Sequence, residues 1–147
     1  MTKLNNLSLI IDELGKTLNP DVIIHHNEQT WTITLSENFC VDVFYISDNN
    51  KVVFQSEIEH PNINEEIITK LLLQFNYNWI ETGGVRMAQD TDSKSIIQIY
   101  DLFLEDLTLS IFIDALERFI EKAKVWSHLF ELKNFKNNLS KQFNPII

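Results

Sequence analysis

Cys40 is the chain's one cysteine, so no internal disulfide can form and the fold must rest on packing, as a reducing cytosol requires. Its place inside the apolar run 39–46 reads as a packed thiol rather than a nucleophile. Basic residues are scarce: 12 Lys and Arg against 21 Asp and Glu give a formal charge of −9. So acidic a chain lacks the counterion-releasing face that nucleic acid or an anionic membrane surface needs. The charge suits solubility, or a partner that carries basic side chains. Long hydrophobic runs are missing too. Leu9-Ile10-Ile11 stops at Asp12 and Glu13, too short for a signal-peptide core, and nothing later approaches a membrane span. The cytoplasm is therefore the expected compartment. Glycine is limited to three residues, and Thr82-Gly83-Gly84 lacks the further glycines or the Lys of a nucleotide loop. It reads as a helix stop and chain reversal.

What is present is an ordinary globular composition, 44% hydrophobic and 22% charged, which argues against disorder. A chain of 147 residues is sized for one domain with a real core, and no linker or repeat divides it. Leu4, Leu7, Ile11, Leu14 and Leu18 step by three and four, predicting an amphipathic opening helix that Pro20 ends. Strands follow over 22–26, 31–35, 39–46 and 51–58, with turn chemistry at 27–29 and 47–50, giving an antiparallel meander.

The stretch 65–90 is the centre of the chain. Ile68, Leu71, Leu72, Phe75 and Trp79 recur at helical spacing after a cap at Asn62 or Asn64, with Glu65 and Glu66 in the first turn. Ile67, Leu73, Tyr77 and Ile80 widen the stripe beyond what one sheet can cover. Segments 85–90 and 95–104 then form a hairpin across 90–93, and the second strand is apolar on both faces, Ile96 and Tyr100 against Ile97 and Ile99. From Thr108, the positions Leu109, Phe112, Ile113, Leu116, Phe119, Ile120, Ala123 and Trp126 predict a helix of about five turns. Beyond Glu131 the pattern weakens to a short extra helix or a docked tail.

No catalytic constellation accompanies these elements. His25 and His26 are adjacent on a strand, so they point to opposite faces, and no partner stands at metal-ligand spacing. Asp90 and Asp92 are explained by turn chemistry, and with nearby Asp101 they have neither nucleophile nor phosphate cradle. No cofactor or metal is expected, and no enzymatic activity.

The order of elements meets specific residues. Leu71-Leu72-Leu73-Gln74-Phe75-Asn76, Thr82-Gly83-Gly84-Val85 and Met87-Ala88-Gln89-Asp90 resemble the central signature of class I type III secretion chaperones, the Tir chaperone family. Leu102-Phe103-Leu104 sits where that family usually has a Leu-Pro-Leu-like segment, and Phe112, Leu116, Phe119-Ile120, Ala123 and Trp126 match its closing helix. The likeness runs in order over 65–126, with pattern agreement before it. Val85 in place of a small residue, Arg86, Phe103 in place of proline and the long tail depart from the family pattern.

The resemblance implies an α+β protomer, an antiparallel twisted sheet with N-terminal, central and C-terminal helices, and a bacterial homodimer. It implies a chaperone that binds an extended N-proximal segment of a secreted effector and delivers it to the secretion apparatus, whose ATPase would be a further partner. Cargo is expected on Leu7, Ile11 and Leu14 with Val41, Val43, Val52 and Phe54, although each of these also fits an ordinary core. The dimer interface is expected at Ile68, Leu72, Phe75 and Trp79 with Ile97 and Ile99. A module of the same fold that binds or inhibits a folded partner, as an immunity protein does, is the alternative.

Overall fold

The computed structural model describes residues 3–17, 20, 22–35, 39–59 and 63–143, with side chains to residue 132. The elements run α1 (Lys3–Thr17), β1 (Val22–Asn27), β2 (Thr30–Thr34), β3 (Cys40–Ile46), β4 (Lys51–Ile58), α2 (Glu65–Tyr77), β5 (Arg86–Gln89), β6 (Ile96–Phe103) and α3 (Leu109–Phe143). The six strands form one antiparallel sheet in the order β1-β2-β3-β4-β6-β5. The meander and hairpin expected from alternation are both present, joined by the β4–β6 ladder from Lys51↔Phe103 to Ile58↔Ile96.

All three helices lie on one face of this sheet, because the pleat sends alternate side chains to them. Leu7, Ile11 and Leu14 of α1 pack with Trp31, Ile33, Val41, Val43, Val52 and Phe54 of the strands and with Phe112, Leu116 and Phe119 of α3. A second cluster joins Ile68 and Leu72 of α2 to Ile58, Met87 and Ile96, closed by Ala123, Trp126 and Phe130 of α3. The Phe54 ring meets those of Phe112 and Phe119 edge-on, at 5.2 and 5.7 Å between centroids, the arrangement that aromatic quadrupoles favour. Helix α3 therefore spans both clusters, and buried Gln98 ties it to the sheet by donating from Nε2 to the Phe119 carbonyl at 2.9 Å.

Three local expectations change. Asn64 is the cap of α2, its Oδ1 accepting from the Glu66 amide, but the helix ends at Tyr77, where the Asn78 amide closes on the carbonyls of Gln74 and Phe75. Trp79 and Ile80 thus lie in the turns before Gly83 and not on the helical stripe. Helix α3 does not stop near 131; its backbone continues through Phe143, 35 residues in all. Cys40 is exposed, with its thiol 3.5 Å from Thr34 Oγ1. The run 39–46 is apolar at nearly every position except Asp42, yet only the phase of Phe39, Val41, Val43 and Tyr45 packs toward the helices, and Cys40 falls on the opposite phase with Asp42.

Candidate functional site

The seven residues expected to receive cargo are core. Leu7, Ile11, Leu14, Val41, Val43, Val52 and Phe54 are all at most 1% exposed and belong to a single cluster. In this conformation they cannot present a surface. Their regular spacing reports which side of each element packs inward.

The expected interface residues of the central stretch separate into three groups. Ile68 and Leu72 are taken up by the protomer's own core. Phe75 is half-buried, its ring edge-on to Trp126 at 5.2 Å. Trp79 is 71% exposed, alongside Leu73, Tyr77 and Ile80. The bare apolar surface of α2 and its following turns is therefore the widening stripe and not the primary one.

Ile97 and Ile99 lie on the helix-free face of the sheet. They alternate with Ile96, Gln98 and Tyr100, and the ladder places them beside Glu57 and Gln55 of β4 and Ala88 and Arg86 of β5. With Val53 and Phe44 they form a half-buried apolar band that belongs to neither core cluster. The band is bordered by an ion triad in which Asp101 accepts from Lys51 Nζ and Arg86 Nη2, each at 3.1 Å. Partial burial alone would raise the Asp101 carboxyl, but the hydrogen bonds and charges of Arg86 and Lys51 outweigh it and hold the group below its ordinary value. Across β1 to β3 the same face turns polar: His26 Nε2 lies 2.7 Å from Thr32 Oγ1, which donates to Asp42 at 2.7 Å. His25 goes to the other face and stacks on Trp31, 4.7 Å between ring centroids. The two histidines are thus engaged separately.

The two edges of the sheet differ. At β5, Asn76 from the last turn of α2 acts as a strand neighbour to Met87: Nδ2 donates to the Met87 carbonyl at 2.8 Å, and the Met87 amide donates to Oδ1 at 3.0 Å. At β1, the outer backbone edge of Val22 to His26 has no hydrogen-bond partner among the described residues, and Val22 and Ile24 are exposed. The Asn76 latch was missed in the sequence. The signal was an amide one turn inside a predicted helix end, but nothing in spacing says that it reaches a strand.

A cleft of about 380 Å³ opens between α3, β6 and the turn after α2, lined by Gly83, Val85, Tyr100, Leu102, Ile111, Asp114, Ala115, Arg118, Phe119 and Lys122. Gly84, at φ +90°, permits its wall: a Cβ there would come 3.3 Å from the Tyr100 ring. Among the described residues no helix is long and apolar enough to cross a membrane, and no His, Cys, Asp and Glu side chains are gathered as a metal would need.

Comparison with known proteins gives the following. The model of the Tir chaperone protein (CesT) family matches residues 9–127. No curated protein matches the chain. Among solved structures, the ExsC–ExsE complex superposes with a TM-score of 0.77 at 15% identity, over 88% of this chain and 97% of that one. The HopA1–SchA chaperone–effector complex gives 0.70 at 13% identity, over 83% and 93%. The Yersinia pestis type III secretion chaperone SycH, in complex with a stable fragment of YscM2, gives 0.60 at 18% identity, over 80% and 97%. At these identities the solved structures speak for the fold alone.

Proposed function

The chain belongs to the Tir chaperone protein (CesT) family, a chaperone family and not an enzymatic one, and from that premise we propose that it binds an extended N-terminal segment of a secreted effector and keeps it soluble and competent for secretion. One observation carries the reading: among the described residues the sheet is covered by helices on one face only and is open at the β1 edge. An unfolded segment gains backbone hydrogen bonds by adding to such an edge, while its alternate side chains seek apolar cover. Each fully buried Leu or Ile anchor contributes roughly 1.5–3 kcal/mol, so several anchors offset the cost of ordering the segment. SchA in its complex with HopA1 and SycH in its complex with the YscM2 fragment each hold a protein partner on this fold, which supports a protein ligand.

The working unit in this proposal is a homodimer. The band Phe44, Val53, Ile97 and Ile99 is the surface for a second copy. An isologous twofold contact buries the same band on both chains, which closes the assembly at two. Cargo is then left to the β1 edge and the helix side.

Co-expression with the N-terminal region of the secreted protein encoded beside this chain tests the reading. A soluble, protease-protected complex of two chaperone chains per segment is the expected result. Binding confined to a folded C-terminal region would favour the inhibitory alternative and overturn the chaperone reading.

A further inference from the structure

The cleft beside Gly83 combines an apolar floor with two cationic side chains on one wall. Its floor is Val85, Leu102 and Phe119. Its α3 wall carries Arg118 and Lys122, one helical turn apart. Among the described residues Arg118 pairs with Asp114 alone, at 3.9 Å with both side chains mostly exposed, and Lys122 has no ion pair. The volume, about 380 Å³, is at the small end of the roughly 300–1,000 Å³ typical of ligand sites. It suits one bulky side chain and its neighbour better than a cofactor.

We infer that this cleft receives a bulky apolar side chain of a protein partner followed directly by an Asp or Glu, whose carboxylate meets Arg118 and Lys122. The charge distribution supports that choice. A chain at −9 repels a carboxylate on approach, but at physiological salt screening leaves only charges within about 8 Å in play. Locally the rim holds two cations against the single carboxylate of Asp114. A peptide is favoured over a free amphiphile because apolar surface continues beyond the cleft: Val125, seven residues after Arg118 of the cleft wall, is exposed on α3. An extended chain anchored in the cleft therefore has further apolar surface to follow. The inference rests on the chaperone reading only for the source of the peptide.

The probe is the blocked tetrapeptide Gly-Phe-Asp-Gly, titrated into the full-length ¹⁵N-labelled chain, with Gly-Phe-Asn-Gly and decanoate as separate arms. The Asp peptide should shift the amides of Gly83, Val85, Ala115 and Lys122. The Asn peptide, or an Arg118→Gln/Lys122→Gln chain with the Asp peptide, should bind about fivefold more weakly, as expected for two partly exposed ion pairs. Ala115→Leu, which fills the cleft with a good helix former, should abolish the shifts while leaving the remaining spectrum in place. Equal affinity for the two peptides, shifts elsewhere, or binding by decanoate alone would overturn the assignment. If the wild-type chain captures the neighbouring effector segment and these variants capture it equally well, the cleft fails and the chaperone reading stands. If the wild-type chain captures no such segment, the chaperone reading fails, and the peptide titration still decides the cleft.

Discussion

The two faces of the sheet are built from the same kinds of residue, yet only one is filled. On the helix side Val52, Phe54, Ile96 and Gln98 are buried by α1, α2 and α3; on the other, Val53, Ile97 and Ile99 of the same strands stay half-exposed. Alternation sorts side chains between faces but does not say which face the helices will take. What decides it is the helices' own stripes. The positions in phase with Leu7, Ile68 and Phe119 form a closed core, so the apolar residues out of phase are left over. This leftover apolar band is the surface that the dimer proposal assigns to a second copy.

That contrast can be broken most strongly from the filled side. Phe54→Ala removes a ring that touches Phe112 and Phe119, and should cost about 3–5 kcal/mol in denaturant unfolding. Next is the latch: Asn76→Ala leaves both the amide and the carbonyl of Met87 without their partners and should cost about 2 kcal/mol, with faster hydrogen exchange at Met87. On the bare face, Asp101→Asn should cost about 1 kcal/mol at neutral pH, because a carboxylate held by two cations is lost. The carboxyl is depressed in the folded state. Its contribution is therefore complete above its ordinary value of 3.8 and fades as pH falls through the lower folded value, so the variant should show a flatter acid limb in unfolding against pH. The gentlest change for the protomer's own packing is Ile97→Asp on the bare band: far-ultraviolet circular dichroism should be unchanged while the mass in solution halves. An unchanged mass would remove that band from the dimer proposal.

Much of the architecture was readable. Period-2 alternation located the meander and the hairpin, and helical spacing located all three helices, although α2 ends earlier and α3 runs far longer than expected. Turn chemistry at Asp90 was right in detail, its Oδ1 accepting from the amides of Asp92 and Ser93 and so drawing its carboxyl below the ordinary value. The site was less readable, for one reason. Spacing identifies side chains that must be buried without saying what buries them. Leu7, Val43 and Phe54 therefore looked the same as cargo anchors and as core, and the end of α2 at Tyr77 moved Trp79 off a stripe it matched by number. The cleft was invisible because its residues come from three separate elements, united only when Gly83 and Gly84 turn the chain toward Tyr100.

The amide of Asn76 also sets how far the sheet can grow. A monomer that polymerises by edge pairing needs two reactive ends, one to receive and one to offer. With Met87 already occupied by a side chain of its own helix and β1 unpaired on its outer side among the described residues, this sheet has an edge valence of one. It can accept a single guest strand, or at worst one copy of itself, and the chain reaction stops there. One closed end is enough to keep edge pairing from propagating strand by strand.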